Sequence, residues 1–351
     1  MTIGELLRYS YLRVAAGSFN CFHTGSTILG SLFGTIETSV PDEVITVPGK
    51  AGRSVAVHVY LNEAAKKAKA ERRPCVTYIT LHGTGHFHAY PKYLLVYIGG
   101  GFILKRHGHD AGFISHLLQS PVLESIPLII LDSDYPHAPE YPFPAPIEDI
   151  SSLVAYVQAH PDLYDPAKLL IGGFSAGANI ALGVSTVLGE EAIRANKPHP
   201  IQGVIAFYPP IPLDNRQLNP EIPQPPHSVP GIIIPQRMID FFMACYFRNS
   251  PDPDADKRKP YASPIFAEVG TFPSKILLIT CEYDPLRVVS GEFKAKLETE
   301  GDGKIDVRGR EVKGVGHGWD GMMMKEGEPG WKGKVESYDD AAKLVREVAT
   351  S

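Results

Sequence analysis

The sequence predicts an α/β fold in which a mostly parallel sheet carries helices on both faces. Short, continuous apolar runs at 75–81, 126–131, 169–171, 204–208 and 276–280 are typical of strands that are buried on both faces. Segments with the apolar spacing of helices lie between these runs. Strands that alternate with helices indicate parallel crossover units. A chain of 351 residues is long enough to form one large domain of this kind.

The remaining elements are assigned by the same periodicity. Two early segments, 44–47 and 54–61, are predicted strands, and the second alternates apolar and polar residues. The basic run 64–73 that follows is interpreted as a solvated connector, because lysine and arginine dominate it. The predicted helices are 147–159, 176–188, 232–247, 293–300 and 337–348.

One stretch interrupts the alternation. Nine prolines occur between Pro209 and Pro235, and proline cannot donate a backbone hydrogen bond inside a helix. The segment 249–259 is predicted to be a polar loop. An irregular insertion of this size in such a fold is most naturally a lid over the functional site.

Composition and charge exclude several classes of function. The formal net charge of −5 is opposite to the basic surface that nucleic acid requires, so no nucleic-acid partner is expected. The four cysteines form no C-x-x-C pair that would indicate zinc or a disulfide framework. No secretory signal and no integral membrane segment is predicted. We therefore expect a cytoplasmic protein, whose segment 3–33 packs on the body or, as the alternative, touches lipid.

One motif indicates the chemistry: Gly173-Phe174-Ser175-Ala176-Gly177, a G-x-S-x-G pattern. It lies between an apolar strand and a helical segment, which is the strand–turn–helix that exposes a nucleophilic serine. Glycines are needed there because neighbouring backbones approach closely. The sequence therefore predicts Ser175 as a nucleophile, and the plainer alternative is a serine that simply begins a helix.

A serine nucleophile needs a base and an acid, which follow it along the chain in the order acid, then histidine. Asp284 comes directly after the predicted strand 276–280, and Pro285 can begin the next helix. Glu282 is the competing carboxylate, two residues nearer to the strand. The acid is expected in the loop just after this strand, and that position favours Asp284.

His317 is the predicted general base. It follows a predicted strand at 305–312, and Gly316 and Gly318 on either side let the loop carry the imidazole to the serine. The alternative is a histidine with a packing role. Ser175, Asp284 and His317 together are the predicted catalytic residues.

Several further motifs lie at consistent spacing. Residues 134–140 read D-Y-P-H-A-P-E, which resembles a D-Y-R-L-A-P-E segment. The other matching motifs are Pro142-Phe143-Pro144-Ala145, Gly173 to Gly177, Ser263-Pro264, Asp284-Pro285-Leu286-Arg287 and His317-Gly318-Trp319. Together they resemble the hormone-sensitive-lipase-like esterase family, and within it the fungal α/β-hydrolase-3 proteins, over roughly residues 75–320.

This resemblance implies the α/β-hydrolase fold and hydrolysis of short to medium acyl esters without a cofactor. It implies a single domain over 1–351, with 1–40 and 209–262 as cap segments. The implied partner is a small-molecule ester, and the oligomeric state stays open, a dimer included.

Two departures from the family pattern stand out. Phe174 replaces the aspartate that usually precedes the serine, which changes the floor of the pocket but not the nucleophile. The second departure is a split oxyanion motif. The family's H-G-G-G-F is divided here between His82-Gly83 and a later glycine run that ends in Phe102, after a strand-like run at 93–98.

The segment 84–99 between the two halves is an atypical insertion. One hypothesis is a retained short intron, because its removal in frame restores H-G-G-G-F and suitable codons for Gly83 and Ile98 would supply the splice sites. The alternative is a genuine loop insertion, since long loops do occur at active sites.

Acyl transfer requires backbone amides that face the developing oxyanion. We assign this role to Ala176, Gly100 and Gly101. His82 and Gly83 form the first half of the split motif, and no role is assigned to them. If the insertion misplaces the glycines, the triad could be intact and activity still be low.

Other histidines invite a metal interpretation. Four of them have H-x-H or similar close spacing: His86, His88, His107 and His109. No carboxylate or cysteine set completes a ligand shell around them. The string Asp252, Asp254 and Asp256 lacks the glycine and glutamate of a calcium loop. The sequence therefore predicts neither a metal ion nor a cofactor.

The leading functional interpretation is a carboxylic ester hydrolase. Two alternatives stay open. The first is a lactonase or an esterase of secondary metabolism with the same triad. The second is a ligand-binding pseudoenzyme, which the split glycine motif favours and the presence of His317 disfavours.

Overall fold

A computed structural model describes residues 3–32, 39–83, 101–103, 110–214, 226 and 229–351. Within these residues, eight strands form one sheet. The strands are β1 Glu43–Pro48, β2 Ser54–Leu61, β3 Cys75–Leu81, β4 Leu128–Ser133, β5 Tyr164–Phe174, β6 Gly203–Phe207, β7 Lys275–Cys281 and β8 Asp306–Val312. The helices are α1 Ile3–Leu32, α2 Glu63–Ala70, α3 Ala111–Gln119, α4 Ala145–Ala159, α5 Ala176–Ala195, α6 Gln236–Tyr246, α7 Pro253–Lys257, α8 Leu286–Glu300 and α9 Trp331–Thr350.

The order of strands in the sheet is β1-β2-β4-β3-β5-β6-β7-β8. The pairs β1/β2 and β2/β4 are antiparallel, and every later pair is parallel. The carboxyl ends of the parallel strands therefore meet at one edge, where open α/β sheets bind their ligands. The prediction of a mostly parallel sheet is confirmed.

Both faces of the sheet are covered, as the continuous apolar strands require. In β3 and β5, Ile79 and Ile171 face one hydrophobic cluster, whereas Tyr78 and Leu170 face the other. All four are fully buried. Burying an aliphatic or aromatic side chain of this size stabilises the folded chain by about 1.5–3 kcal/mol. The two hydrophobic layers therefore stabilise the strands whose carboxyl ends carry the loops of the site.

Two predicted loops contain short helices instead. The segment 64–73 was interpreted as a solvated connector, which is wrong, because α2 occupies most of it. Asn62 caps this helix by accepting the amide of Ala65, and Ala65 and Ala68 are fully buried beneath the exposed lysines. The polar loop 249–259 contains α7, which Asp252 caps through the amide of Ala255.

Some sequence predictions fall outside the described residues, namely the strand 93–98, the insertion 84–99 and Gly100. Of the predicted cap segments, 1–40 contributes α1, and 209–262 contributes α6 and α7. Among the helices that are described, none is both long and apolar enough to cross a membrane. Cys75, Cys245 and Cys281 are buried as free thiols.

Candidate active site

Ser175 lies on a strained turn between β5 and α5. Its φ of 50° and ψ of −118° are unfavourable for a residue with a side chain, and its amide is fixed by the carbonyl of Phe207 at 2.9 Å. A Cβ atom on Gly173 or Gly177 would lie only 2.2 Å from the carbonyl oxygen of Leu81. The glycines of the motif are therefore required by the close approach of β3, as the sequence predicts.

The three predicted catalytic side chains lie in contact. His317 Nε2 is 2.9 Å from Ser175 Oγ, and His317 Nδ1 is 2.6 Å from Asp284 Oδ2. Exposure is 5% for Ser175, 2% for Asp284 and 0% for His317. The second oxygen of Asp284 accepts the amide of Leu286 at 3.0 Å, which fixes the carboxylate at the start of α8. This arrangement can move a proton from the hydroxyl to the imidazole.

The competing carboxylate, Glu282, has a different set of contacts. Its Oε2 accepts the amide of Gly314 at 2.7 Å, and Lys313 lies 3.7 Å from its other oxygen. Glu282 therefore fixes the loop that leads to the histidine, whereas Asp284 contacts the imidazole. Of the two carboxylates, only Asp284 therefore lies where it can orient the histidine.

The loop of His317 is clamped by the mid-chain segment. The amide of His317 donates to the carbonyl of Ile232 at 3.0 Å, and the amide of Ile232 donates back at 3.1 Å. Gly231, with φ of 92°, would place a Cβ only 2.5 Å from the carbonyl oxygen of Gly316. The sequence did not reveal this clamp, because a two-residue bridge has no periodic pattern.

A buried polar group supports the other side of the imidazole. The Tyr208 ring centroid is 4.6 Å from that of His317, and its hydroxyl donates to Asp320 at 2.7 Å. Tyr338 donates to the second oxygen of Asp320 at 3.1 Å. Burial raises the pKa of Asp320 above its ordinary value, against these hydrogen bonds. Sequence reasoning missed this set, whose members are distant along the chain.

The structure describes two of the three residues that are assigned to the oxyanion hole, Ala176 and Gly101. Ala176 is the first residue of α5, and its side chain and that of Ser175 line one cavity together with Gly101. Gly101 has φ of 43°, and a Cβ there would lie 2.6 Å from the ring of Phe242. His82 and Gly83 end β3, beside the elbow, and a Cβ on Gly83 would lie 2.4 Å from the carbonyl of Phe174. Gly100 lies outside the described residues.

The cavity next to Ser175 is narrow and mostly apolar. Its volume is about 50 Å³. Its other lining residues are Phe102, Pro210, Leu213, Ile234, Ile239, Phe242, Met243, Asp284, Pro285 and Leu286. Six of these ten residues belong to the mid-chain segment 209–262. An apolar cavity that opens on a nucleophile can hold the hydrocarbon part of a substrate.

A second group of polar side chains lies behind the elbow. Asp134 Oδ1 is 3.1 Å from His82 Nε2 and 3.5 Å from His137 Nε2. These three residues do not stand out as a set in the sequence. The signal that could have revealed it is His137 itself, because D-Y-P-H-A-P-E places a histidine where the family motif has leucine.

Known proteins resemble this chain over most of its length. The sequence model of the α/β-hydrolase-3 family, described as alpha/beta hydrolase fold, matches residues 94–321. The carboxylic ester hydrolase LipN of Mycobacterium tuberculosis is 29% identical over 61% of this chain and 54% of its own length. The carboxylesterase NlhH of the same species is 27% identical over 55% of this chain and 56% of its own. The chain thus spans about half the length of these two curated relatives.

Solved structures show the same fold. The esterase of Pyrobaculum calidifontis has a TM-score of 0.64 with this chain at 23% identity, over 100% of this chain and 99% of its own. An identity this low indicates the fold alone. The predicted α/β-hydrolase fold and the resemblance stated from the motifs are confirmed. The chain belongs to the α/β-hydrolase-3 family.

Proposed function

We propose that this chain is a serine hydrolase that cleaves carboxylic esters of short to medium acyl chains. The observation that carries the proposal is the line of contacts from Ser175 Oγ to His317 Nε2 and from Nδ1 to Asp284, at 2.9 and 2.6 Å. The similarity to the carboxylic ester hydrolase LipN and the carboxylesterase NlhH supports the same conclusion.

In the proposed reaction, Ser175 Oγ attacks the ester carbonyl while His317 Nε2 takes its proton. Nδ1–H donates to Asp284, so the carboxylate selects the tautomer whose Nε2 can accept and stabilises the imidazolium that forms. His317 then protonates the leaving alkoxide as the ester C–O bond breaks, and the acyl group stays on Ser175. Water, deprotonated by the same imidazole, releases the acid.

The developing oxyanion would be held by the amides of Ala176, Gly101 and Gly100. Ala176 supports this role because an amide at the first turn of a helix has no partner within the helix and carries partial positive charge. Loss of one such donor typically costs about 10²–10³ in turnover. The two glycine amides depend on how the insertion 84–99 presents them.

The size of the cavity favours short acyl chains. A cavity needs about 10–15 Å³ to hold one water molecule, so 50 Å³ admits roughly four groups of that size. Ile239, Phe242 and Met243 of α6 line it, which supports the role of 209–262 as a cap. The N-terminal segment 1–40 as the second cap element and the cytoplasmic location stay predictions.

Turnover of p-nitrophenyl esters of increasing acyl length tests this function. We expect kcat/KM to be largest for the short acyl chains and to disappear in the matched variant Ser175→Ala. A faster reaction with lactones would favour the lactonase alternative. A folded protein that turns over neither class would identify a pseudoenzyme and contradict the proposal.

The insertion 84–99 has its own test. If it is a retained intron, cDNA contains a shorter transcript, and the protein without these residues has higher activity because H-G-G-G-F is continuous. If only full-length transcripts occur under every condition of expression, the segment is a genuine loop.

A further inference from the structure

We propose that His82, Asp134 and His137 form a binding site for a divalent transition-metal ion, with Zn²⁺ as the best fit. The three residues lie at the end of β3 and just after β4, and none of them lines the cavity at Ser175. The ligand atoms of the three side chains all lie within 4.8 Å of one another. This binding is independent of the proposed ester hydrolysis.

The spacing of the ligand atoms matches a tetrahedral ion. Two donors that bind one Zn²⁺ at about 2.0–2.1 Å are about 3.3 Å apart. The two imidazole nitrogens lie 3.1 and 3.5 Å from the same oxygen, Asp134 Oδ1. Both rings thus already direct Nε2 at the carboxylate, and the ligand nitrogens of the two rings lie within 4.8 Å of each other.

The surroundings of His82 are those of a metal ligand. Histidines that bind metal usually donate their other ring N–H to a carbonyl or carboxylate. His82 Nδ1 lies 3.5 Å from the carbonyl of Gly83, which can accept the ring proton when an ion replaces the proton that Nε2 shares with Asp134. The Tyr135 ring stacks on His82 at 4.5 Å and on His137 at 4.8 Å. These stacked rings limit the freedom of both imidazoles.

The donor set and the access to it select the class of ion. Two imidazoles and one carboxylate suit zinc-like transition metals, whereas Mg²⁺ and Ca²⁺ prefer oxygen ligands throughout. His82 and His137 are buried, and the side chain of Asp134 is 27% exposed. The exposed part of the carboxylate therefore provides an entry path for the ion.

The site lies against the nucleophile elbow. A Cβ on Gly177 would be 2.6 Å from the carbonyl oxygen of His82, and the Tyr135 hydroxyl donates to that same oxygen at 3.1 Å. A bound ion would join the end of β3 to the segment after β4 at this point. Because the ion binds only the folded chain, it raises the melting temperature.

The test titrates the full chain, first freed of metal by a chelator and dialysis. We expect calorimetry with ZnCl₂ to give one ion per chain, and Co²⁺ to give the visible absorption of a tetrahedral site. His137→Leu, which installs the residue of the family motif, should weaken Zn²⁺ binding by more than about 10-fold, since even outer contacts of metal ligands contribute that much. Asp134→Asn, which keeps the shape of the side chain, should have the same effect.

His116→Leu is the matched control. It also removes one imidazole next to a carboxylate, since His116 Nε2 lies 2.9 Å from Asp339 Oδ1, and it should leave the affinity unchanged. Absence of binding to the unmodified protein would overturn the proposal. So would binding of unchanged affinity in the folded His137→Leu and Asp134→Asn variants, which would place the ion on other residues.

Discussion

Replacing Asp284 by asparagine separates the roles of the two carboxylates that follow β7. Asp284 Oδ2 lies 2.6 Å from His317 Nδ1, and Oδ1 accepts the amide of Leu286 at 3.0 Å. An asparagine can keep the bond to Leu286 through its carbonyl oxygen, but it then presents NH₂ to the imidazole. His317 must respond by moving its proton to Nε2, which then can no longer accept from Ser175.

The expected loss follows from this reversal. The tautomer with a proton on Nε2 cannot act as a base, and the charge-assisted bond that stabilises the imidazolium is lost as well. The corresponding substitution in a Ser-His-Asp triad lowers kcat by about 10⁴, or about 5.5 kcal/mol in the barrier. We expect kcat of Asp284→Asn to fall by that order, while the fold is kept because the amide of Leu286 stays bonded.

Hydrolysis of p-nitrophenyl butyrate measures the loss, with circular dichroism as a check of folding. Glu282→Gln is the matched control, because the amide oxygen of glutamine can still accept the N–H of Gly314 and the side chain does not contact the imidazole. It should keep kcat within a few-fold and lose about 1 kcal/mol of stability at most. An inactive Glu282→Gln beside an active Asp284→Asn would refute the assignment.

Three further predictions concern the cavity and the stability of the fold. Phe242→Ala should widen the cavity at Ser175 and shift the kcat/KM optimum among nitrophenyl esters to longer acyl chains. Asp149→Ala should cost about 3–5 kcal/mol in urea unfolding, because it removes a fully buried carboxylate that accepts from both the Arg53 guanidinium and the amide of Lys50. Glu148→Ala, which removes the exposed partner of Arg53, should cost less than about 1 kcal/mol. Burial lowers the pKa of His199 below its ordinary value of 6.5, so the unfolded chain binds the proton more readily and stability should fall as the pH drops through 6.5. His199→Gln should lack this part of the pH dependence in unfolding measured between pH 5 and 8.

Each of these has a clear contrary result. An unchanged chain-length profile in Phe242→Ala would show that the ring does not limit the acyl group. Equal costs for Asp149→Ala and Glu148→Ala would mean that burial does not matter to this pair. The same pH slope in His199→Gln would assign the titration to another group.

The parts of the site that the sequence predicted are those with local patterns. The elbow at Ser175 combines a buried strand, a glycine motif and a helix, and each has its own signal within a few residues. Asp284 and His317 follow strands in a fixed order, so their place at one edge of the sheet follows from the parallel topology. Chain order and periodicity suffice for these residues.

The parts that could not be predicted depend on contacts between distant segments. The bond between Tyr208 and Asp320 and the bridge from Ile232 to His317 join residues with no shared periodicity. The helix α2 was not predicted, because lysines dominate its sequence and only two alanines, Ala65 and Ala68, form its buried face. The sequence alone shows that His137 replaces the leucine of the family motif. That His137 and Asp134 lie next to His82 becomes apparent only from the pairing of β3 with β4.

Mass spectrometry after treatment with a fluorophosphonate identifies the nucleophile, on which the proposed function depends. We expect one adduct per chain, on the peptide that contains Ser175, with labelling abolished in Ser175→Ala and strongly slowed in His317→Ala. An adduct on another residue, or an unmodified Ser175 in a protein that still hydrolyses esters, would rule out Ser175 as the nucleophile.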